Sequence, residues 1–277
     1  MNRDTLAEKP GEDGFTQLSE ALEGHPKPSG PKPWNAPDLA FFIAFTLVWL
    51  PISNFLAYAD YSSFKPLFGW STPLRDLQTN AFFVVAAQIL FYAPVLAYVY
   101  VLVVNRFRLP FWDGLKWKNP PRGQIATLFL AGVLMALIAR FAPPLLPDKE
   151  NFPLERLFSS PQSAYVMATF AIILAPFMEE LIFRGVLFSF FEQAGRTFAI
   201  LGTAILFAAL HIPEYWGAWN HVLLIFLVGA VFSLARGLTG SLAPGVILHL
   251  AYNASLIAQL FFETDRFHSL QAGLTAR

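Results

Sequence analysis

The sequence predicts an all-α protein, a polytopic transmembrane bundle of about seven helices (six to eight) behind a disordered N-terminal tail. Three observations predict it. Hydrophobic residues make up 55% of the 277 residues and charged residues only 14%, where soluble domains carry about 25% charge. Mean hydropathy is +0.48, and 29 Phe and 7 Trp add apolar surface that a soluble core of this size does not hide from water. The apolar residues also arrive in successive runs, most of them close to the roughly 20 residues that cross a bilayer.

The same figures exclude other classes. A chain this apolar is not disordered as a whole. Lys and Arg number 19 and balance 19 Asp and Glu, so no basic excess pairs with phosphates and nucleic acid is not an expected partner. No cysteine is present, which removes disulfides, thiolate zinc sites and a cysteine nucleophile together.

Residues 1–37 read as the disordered tail. Pro26, Pro28, Pro31 and Pro33 sit in a charged, Gly-rich stretch that buries too little apolar area to offset chain entropy. No apolar core follows the basic residues, so it is not a signal peptide. Residues 38–156 hold the first set of transmembrane helices, 157–265 the second, and 266–277 a C-terminal tail. The apolar runs are Leu39 to Ala59, Ala81 to Val104, Gln124 to Leu146 (broken by Arg140), Leu157 to Met178, Phe198 to Ile212, Asn220 to Ala235 and Leu242 to Phe262. The fifth and sixth are short and need neighbouring residues to complete a span. Pro51, Pro94, Pro143, Pro176 and Pro244 lie inside or beside runs. Membrane helices tolerate such prolines where neighbours satisfy the freed carbonyls, and a kink at Pro176 would re-aim the carboxylates that follow it. No repeat of fixed period is visible.

Loop charge sets orientation. The segment 105–123 carries Arg106, Arg108, Lys116, Lys118 and Arg122, against Lys65 and Arg75 before it and Lys149 and Arg156 after it. The positive-inside rule makes this loop, and with it the N-terminus, cytoplasmic. The chain is then an integral multi-pass protein, of the cytoplasmic membrane if prokaryotic, with the bilayer as its first partner.

Ionisable groups inside apolar helices are costly and mark candidate sites. Glu180 and Arg184 are four apart with Glu N-terminal, the favoured order for a helical ion pair. Glu179 is rotated about 100° away and lacks that partner, so one carboxylate is neutralised and the other is available as a base. A helix ending in solvated charges is the plainer alternative, but Gly185 to Phe191 is apolar again. Phe207 and His211 share a face, though a lone histidine is more often a hydrogen-bonded core residue. His249 and Asn253 lie one turn apart. They are either donors for a developing oxyanion or an interhelical hydrogen bond holding the bundle. His249 lies about 10 Å into its span at about 1.5 Å per residue. His211 comes out deeper, so convergence requires a tilted helix, a cavity or a later membrane entry.

The order Glu-Glu-x-x-x-Arg, Phe-x-x-x-His and His-x-x-x-Asn, each on its own apolar segment between about residues 160 and 262, resembles the CPBP family. These are CAAX-protease and bacteriocin-processing intramembrane proteases related to the eukaryotic Ras-converting enzyme. The resemblance implies an endopeptidase acting on a membrane-associated protein or peptide, lipidated or not. By motif position Glu179 would activate water with help from His211, His249 and Asn253 would stabilise the oxyanion, and Glu180, Arg184 and Phe207 would support them. No motif residue is a serine or cysteine nucleophile, so water attacks directly. A metal-free glutamic mechanism is favoured and no cofactor is expected. The alternative is a zinc enzyme using Glu179, His211 and His249, since catalytic zinc takes three protein ligands, although the His-Glu-x-x-His zincin motif is absent. Two other readings remain: a non-catalytic immunity or scaffold protein, and a transporter with Glu179 and His211 as a proton relay.

Overall fold

The computed structural model describes residues 34–141 and 157–269. Those residues form helices and turns, with no strand among them. Six helices are long and apolar enough to cross a membrane: α1 (Ala36–Phe68), α2 (Ala81–Arg106), α3 (Arg122–Phe141), α4 (Pro161–Ala194), α6 (Trp219–Thr239) and α7 (Ala243–Glu263). Between them lies a shorter apolar helix, α5 (Arg196–His211). The protein is an all-helical, multi-pass membrane protein.

Local chemistry explains where these helices begin and end. Asn35, Asn80 and Ser160 accept from the backbone N–H groups of Asp38, Phe83 and Ser163 and so cap α1, α2 and α4. Proline in the first turn of α1, α4 and α7 costs no helical bond there. Gly69 and Gly240 take left-handed conformations after α1 and α6 and terminate them.

Helix α1 packs along α2, α3 along α7, and α5 along α6, while α7 also crosses the middle of α4. The largest core cluster joins Val95 and Val99 of α2 to Leu181 and Phe183 of α4, Phe207 of α5 and Val246 of α7. The basic loop after α2 closes one end of this bundle. Ser241 accepts from the Lys118 N–H at 3.0 Å and donates to the Lys118 carbonyl at 2.9 Å, and the Leu242 N–H donates to the Lys116 carbonyl at 3.1 Å.

The fourth run is charge-free to Met178 and apolar again from Gly185, and α4 does continue through Glu179, Glu180 and Arg184 to Ala194. One sequence boundary moves. The sixth is expected to stop before Arg236, yet α6 continues to Thr239 and Arg236 is fully buried. Its Nε donates to the Arg184 carbonyl at 3.1 Å, and its guanidinium lies 5.1 Å from the Phe188 ring centroid. In both places charged side chains find partners inside the bundle, so charge does not end the helix. Arg140, the charge within the third run, pairs with Glu263 of α7 at 3.4 Å.

Residues 1–33 of the expected tail, the end of the third run with Pro143 and Leu146, Lys149 and Arg156 of the following loop, and residues 270–277 lie outside the described residues. Trp34, assigned to the tail, is buried; its ring meets Phe107 edge-on and its carbonyl accepts from Gln193. Phe267 at the other end is buried between Tyr165 and Phe261.

Candidate active site

Helix α4 carries the carboxylates, and its backbone is not regular. Phe170–Leu174 and Leu181–Leu187 are π-helical turns on either side of Ala175–Glu180. The first has a readable cause. The Ala175 N–H bonds the Phe170 carbonyl, five residues back. In that register the Ala171 carbonyl faces the nitrogen of Pro176, which has no hydrogen to give. The vacancy is filled from α7, where Asn253 Nδ2 donates to the Ala171 carbonyl at 2.8 Å. A proline in one helix and a carboxamide in another thus solve one hydrogen-bond deficit, as buried backbone in a membrane requires.

Glu180 and Arg184 form a fully buried ion pair at 2.8 Å. The guanidinium is satisfied on every side. Its Nε donates to Ser233 Oγ at 3.1 Å and its Nη2 to the Gly229 carbonyl at 2.6 Å. Its carbon lies 4.8 Å from the ring centroid of Phe207, 5.5 Å from that of Phe232 and 5.8 Å from that of Phe183, distances at which cation–π attraction acts. Ser233 is itself held by Thr203 of α5 at 2.8 Å. A desolvated pair is tolerable only with such supplementary bonds.

His249 enters from α7 and meets both carboxylates. Its Nδ1 is 3.1 Å from Glu180 Oε1, and its Nε2 is 3.7 Å from Glu179 Oε2. Phe232 stacks on the ring at 4.6 Å and 27°. Glu179 keeps 21% of its side-chain surface exposed and Glu180 none. Two neighbouring residues of one helix therefore present a sealed carboxylate and an accessible one.

His211 closes α5. Its Nδ1 bonds the Phe207 carbonyl one turn back at 2.7 Å. A carbonyl only accepts, so Nδ1 carries the hydrogen and Nε2 of the neutral ring is the basic nitrogen. The depth mismatch between the two histidines is bridged by Phe207, whose ring centroid is 4.7 Å from that of His211 and 5.9 Å from that of His249. Helix α5 starts at Arg196. Of the predicted residues, Glu179, Glu180, Arg184, Phe207 and His249 form one contiguous cluster; His211 joins it through Phe207, and Asn253 braces α4 one turn further along α7.

Several participants were not singled out from the sequence. Phe232, Gly229 and Ser233 all come from α6. The spacing Gly229, Ser233, Gly237 is a small-residue stripe that marks a close helix contact and points at this face. Among the described residues no group of three or more His, Cys, Asp or Glu side chains is placed to hold a metal ion. In His211 and His249 it is Nδ1 that meets an acceptor and Nε2 that remains, an orientation that a metal-ligating histidine also takes.

The fold and this cluster define a multi-pass membrane protein with a buried carboxylate–imidazole centre. Residues 161–255 match the family described as Rce1-like, type II CAAX prenyl endopeptidase Rce1-like. The match runs from the start of α4 into α7 and takes in Glu179, Glu180, Arg184, Phe207, His211, His249 and Asn253. Over that segment the chain is similar to this family, in agreement with the resemblance carried by the three motifs. No curated protein and no solved structure matches the chain.

Proposed function

We propose that the protein is an intramembrane endopeptidase that hydrolyses a peptide bond in a membrane-associated protein or peptide with water activated by Glu179. The observation that carries this reading is the asymmetry of the two adjacent carboxylates. Glu180 is consumed by Arg184 at 2.8 Å, while Glu179 is accessible and stands 3.7 Å from His249, too far for a direct hydrogen bond. In this reading Glu179 takes a proton from water as the oxygen attacks the carbonyl carbon, and returns it to the leaving nitrogen when the C–N bond breaks. His211 assists through its basic Nε2. His249, once protonated on Nε2 as well as on Nδ1, and Asn253 stabilise the oxyanion; Asn253 has a second amide hydrogen beyond the one given to Ala171. The substrate class proposed from the family's description is a CAAX-type C-terminus, prenylated or not. No cofactor takes part. The 105–123 loop and the N-terminus face the cytoplasm, on the charge pattern of the loops.

The test is a proteomic comparison of membranes carrying the native protein and Glu179→Gln. Loss of specific C-terminal cleavage products is expected, with kcat down on the order of 10²–10⁴-fold. Unchanged cleavage would sink the reading. Chelators are expected to leave activity intact; one tightly held zinc per chain, with activity lost on its removal, would overturn the metal-free mechanism.

A further inference from the structure

The residue whose role is least explained by an ion pair alone is Glu180. An ion pair with Arg184 needs no histidine, yet Glu180 Oε1 is shared between Arg184 Nη1 at 2.8 Å and His249 Nδ1 at 3.1 Å. A carboxylate paired with a guanidinium is an acceptor only. The hydrogen in the second bond therefore belongs to the imidazole, and His249 carries its proton on Nδ1. The other ring nitrogen is then aimed at Glu179 Oε2. Phe232, stacked on the ring, restricts its rotation.

The approach of Glu180 to α7 depends on one residue without a side chain. A Cβ at Gly245 would lie 2.6 Å from Glu180 Oε2, closer than any real contact. The same Oε2 is buried with no hydrogen-bond partner among the described residues. Glu180 is thus pressed into α7 beyond what its pair with Arg184 asks, at the cost of one unsatisfied oxygen. Such a cost is tolerated where the group has a further task.

We propose that Glu180 is a positioning residue for His249. It fixes the Nδ1–H tautomer and turns Nε2 toward the reacting centre, and Gly245 supplies the clearance that lets it reach. This rests on the endopeptidase reading for its catalytic consequence, but the tautomer does not. The arrangement has the logic of the carboxylate that orients the histidine in serine proteases, built here from a carboxylate adjacent to the proposed base.

Two variants of the full-length protein test it. Glu180→Gln removes the acceptor charge but also strands Arg184, so it is paired with Gly245→Ala. The latter leaves every ionisable group in place. Its new methyl meets the movable end of the Glu180 side chain, the nearest backbone atom being an ordinary 3.6 Å away. With a quenched-fluorescent peptide ending in a prenylated CAAX sequence, Gly245→Ala is expected to lower kcat on the order of 10²-fold with KM unchanged, between the usual effect of an outer-shell partner and that of an orienting triad carboxylate. A change in KM alone, or none, overturns the positioning role. Nitrogen-15 histidine spectra, with His249 assigned from His249→Gln, read the tautomer without activity. Nδ1 protonated in the parent and altered in Gly245→Ala is the expected result; a parent ring protonated on Nε2 alone overturns the proposal. Cleavage lost in Glu179→Gln but unaffected in both test variants sinks this inference and leaves the protease reading standing. Intact cleavage in Glu179→Gln sinks the protease reading instead.

Discussion

Helices α1–α3 and helices α4 and α6 have nearly the same hydropathy, with α7 somewhat less apolar, and the two groups have opposite surroundings. In their most apolar windows 11%, 17% and 11% of residues are buried in the first group, against 39%, 33% and 33% in the second. The first group turns many large apolar side chains outward, Phe41, Phe55 and Leu130 among the most exposed, and lipid is as good a solvent for them as protein. The second turns inward and buries charge. The family match covers only the second. Apolar character is what both groups need to stay in the bilayer; internal polar partners are what the second group needs to stay together.

The comparison is broken most severely at Arg184. Arg184→Leu leaves Glu180 buried without its cation and should cost about 3–5 kcal/mol, read as a collapse of the thermal midpoint in detergent. Arg140→Leu removes a pair whose side chains are 37% and 35% exposed, and should cost less than about 1 kcal/mol. Equal losses would mean that burial does not separate the two groups.

Gly132 is where the groups meet. A Cβ there would lie 2.6 Å from the Leu248 carbonyl and 2.7 Å from Ala251 Cβ, on either side of His249 in sequence. Backbone does not yield as a side-chain tip does. Gly132→Ala should cost about 1–3 kcal/mol and reduce activity by moving α7. Full activity with an unchanged midpoint would show that α3 can separate from α7 freely.

The bond from Asn253 to Ala171 gives a finer probe. Asn253→Ala strands a carbonyl and should cost about 1–3 kcal/mol. Pro176→Ala restores an N–H at position 176, so in that background the Asn253→Ala cost should shrink. A double-mutant cycle measured by thermal unfolding should show coupling of about 1 kcal/mol; strict additivity would refute the shared deficit. The smallest effect is expected at Phe55, 70% exposed on α1. Phe55→Ala should stay within about 0.5 kcal/mol.

Legibility differs between fold and site for a physical reason. Helix count and most boundaries follow from local hydropathy, because the bilayer responds to the average of some twenty residues. The boundary that failed, at Arg236, failed where charge is compensated by residues far along the chain. Glu180 and Arg184 were readable as a pair because they are four apart on one helix. Ser233, Gly229 and Phe232, which complete the guanidinium's shell, are not local to it, and only the small-residue stripe of α6 hinted at them. For Asn253 the interhelical bond, one of the two readings open at the sequence level, is present, and its cause lies in a proline 77 positions away.

By itself the sequence determined that the chain enters a membrane, roughly how often it crosses, and that three polar motifs lie on separate apolar segments. Those properties are sums or spacings over contiguous residues. Only the tertiary structure decided that His249 stands between the two carboxylates, and that a glycine on α7 makes room for Glu180. Such facts depend on approaches of a few ångströms between helices distant in sequence, and no local pattern encodes distances of that kind.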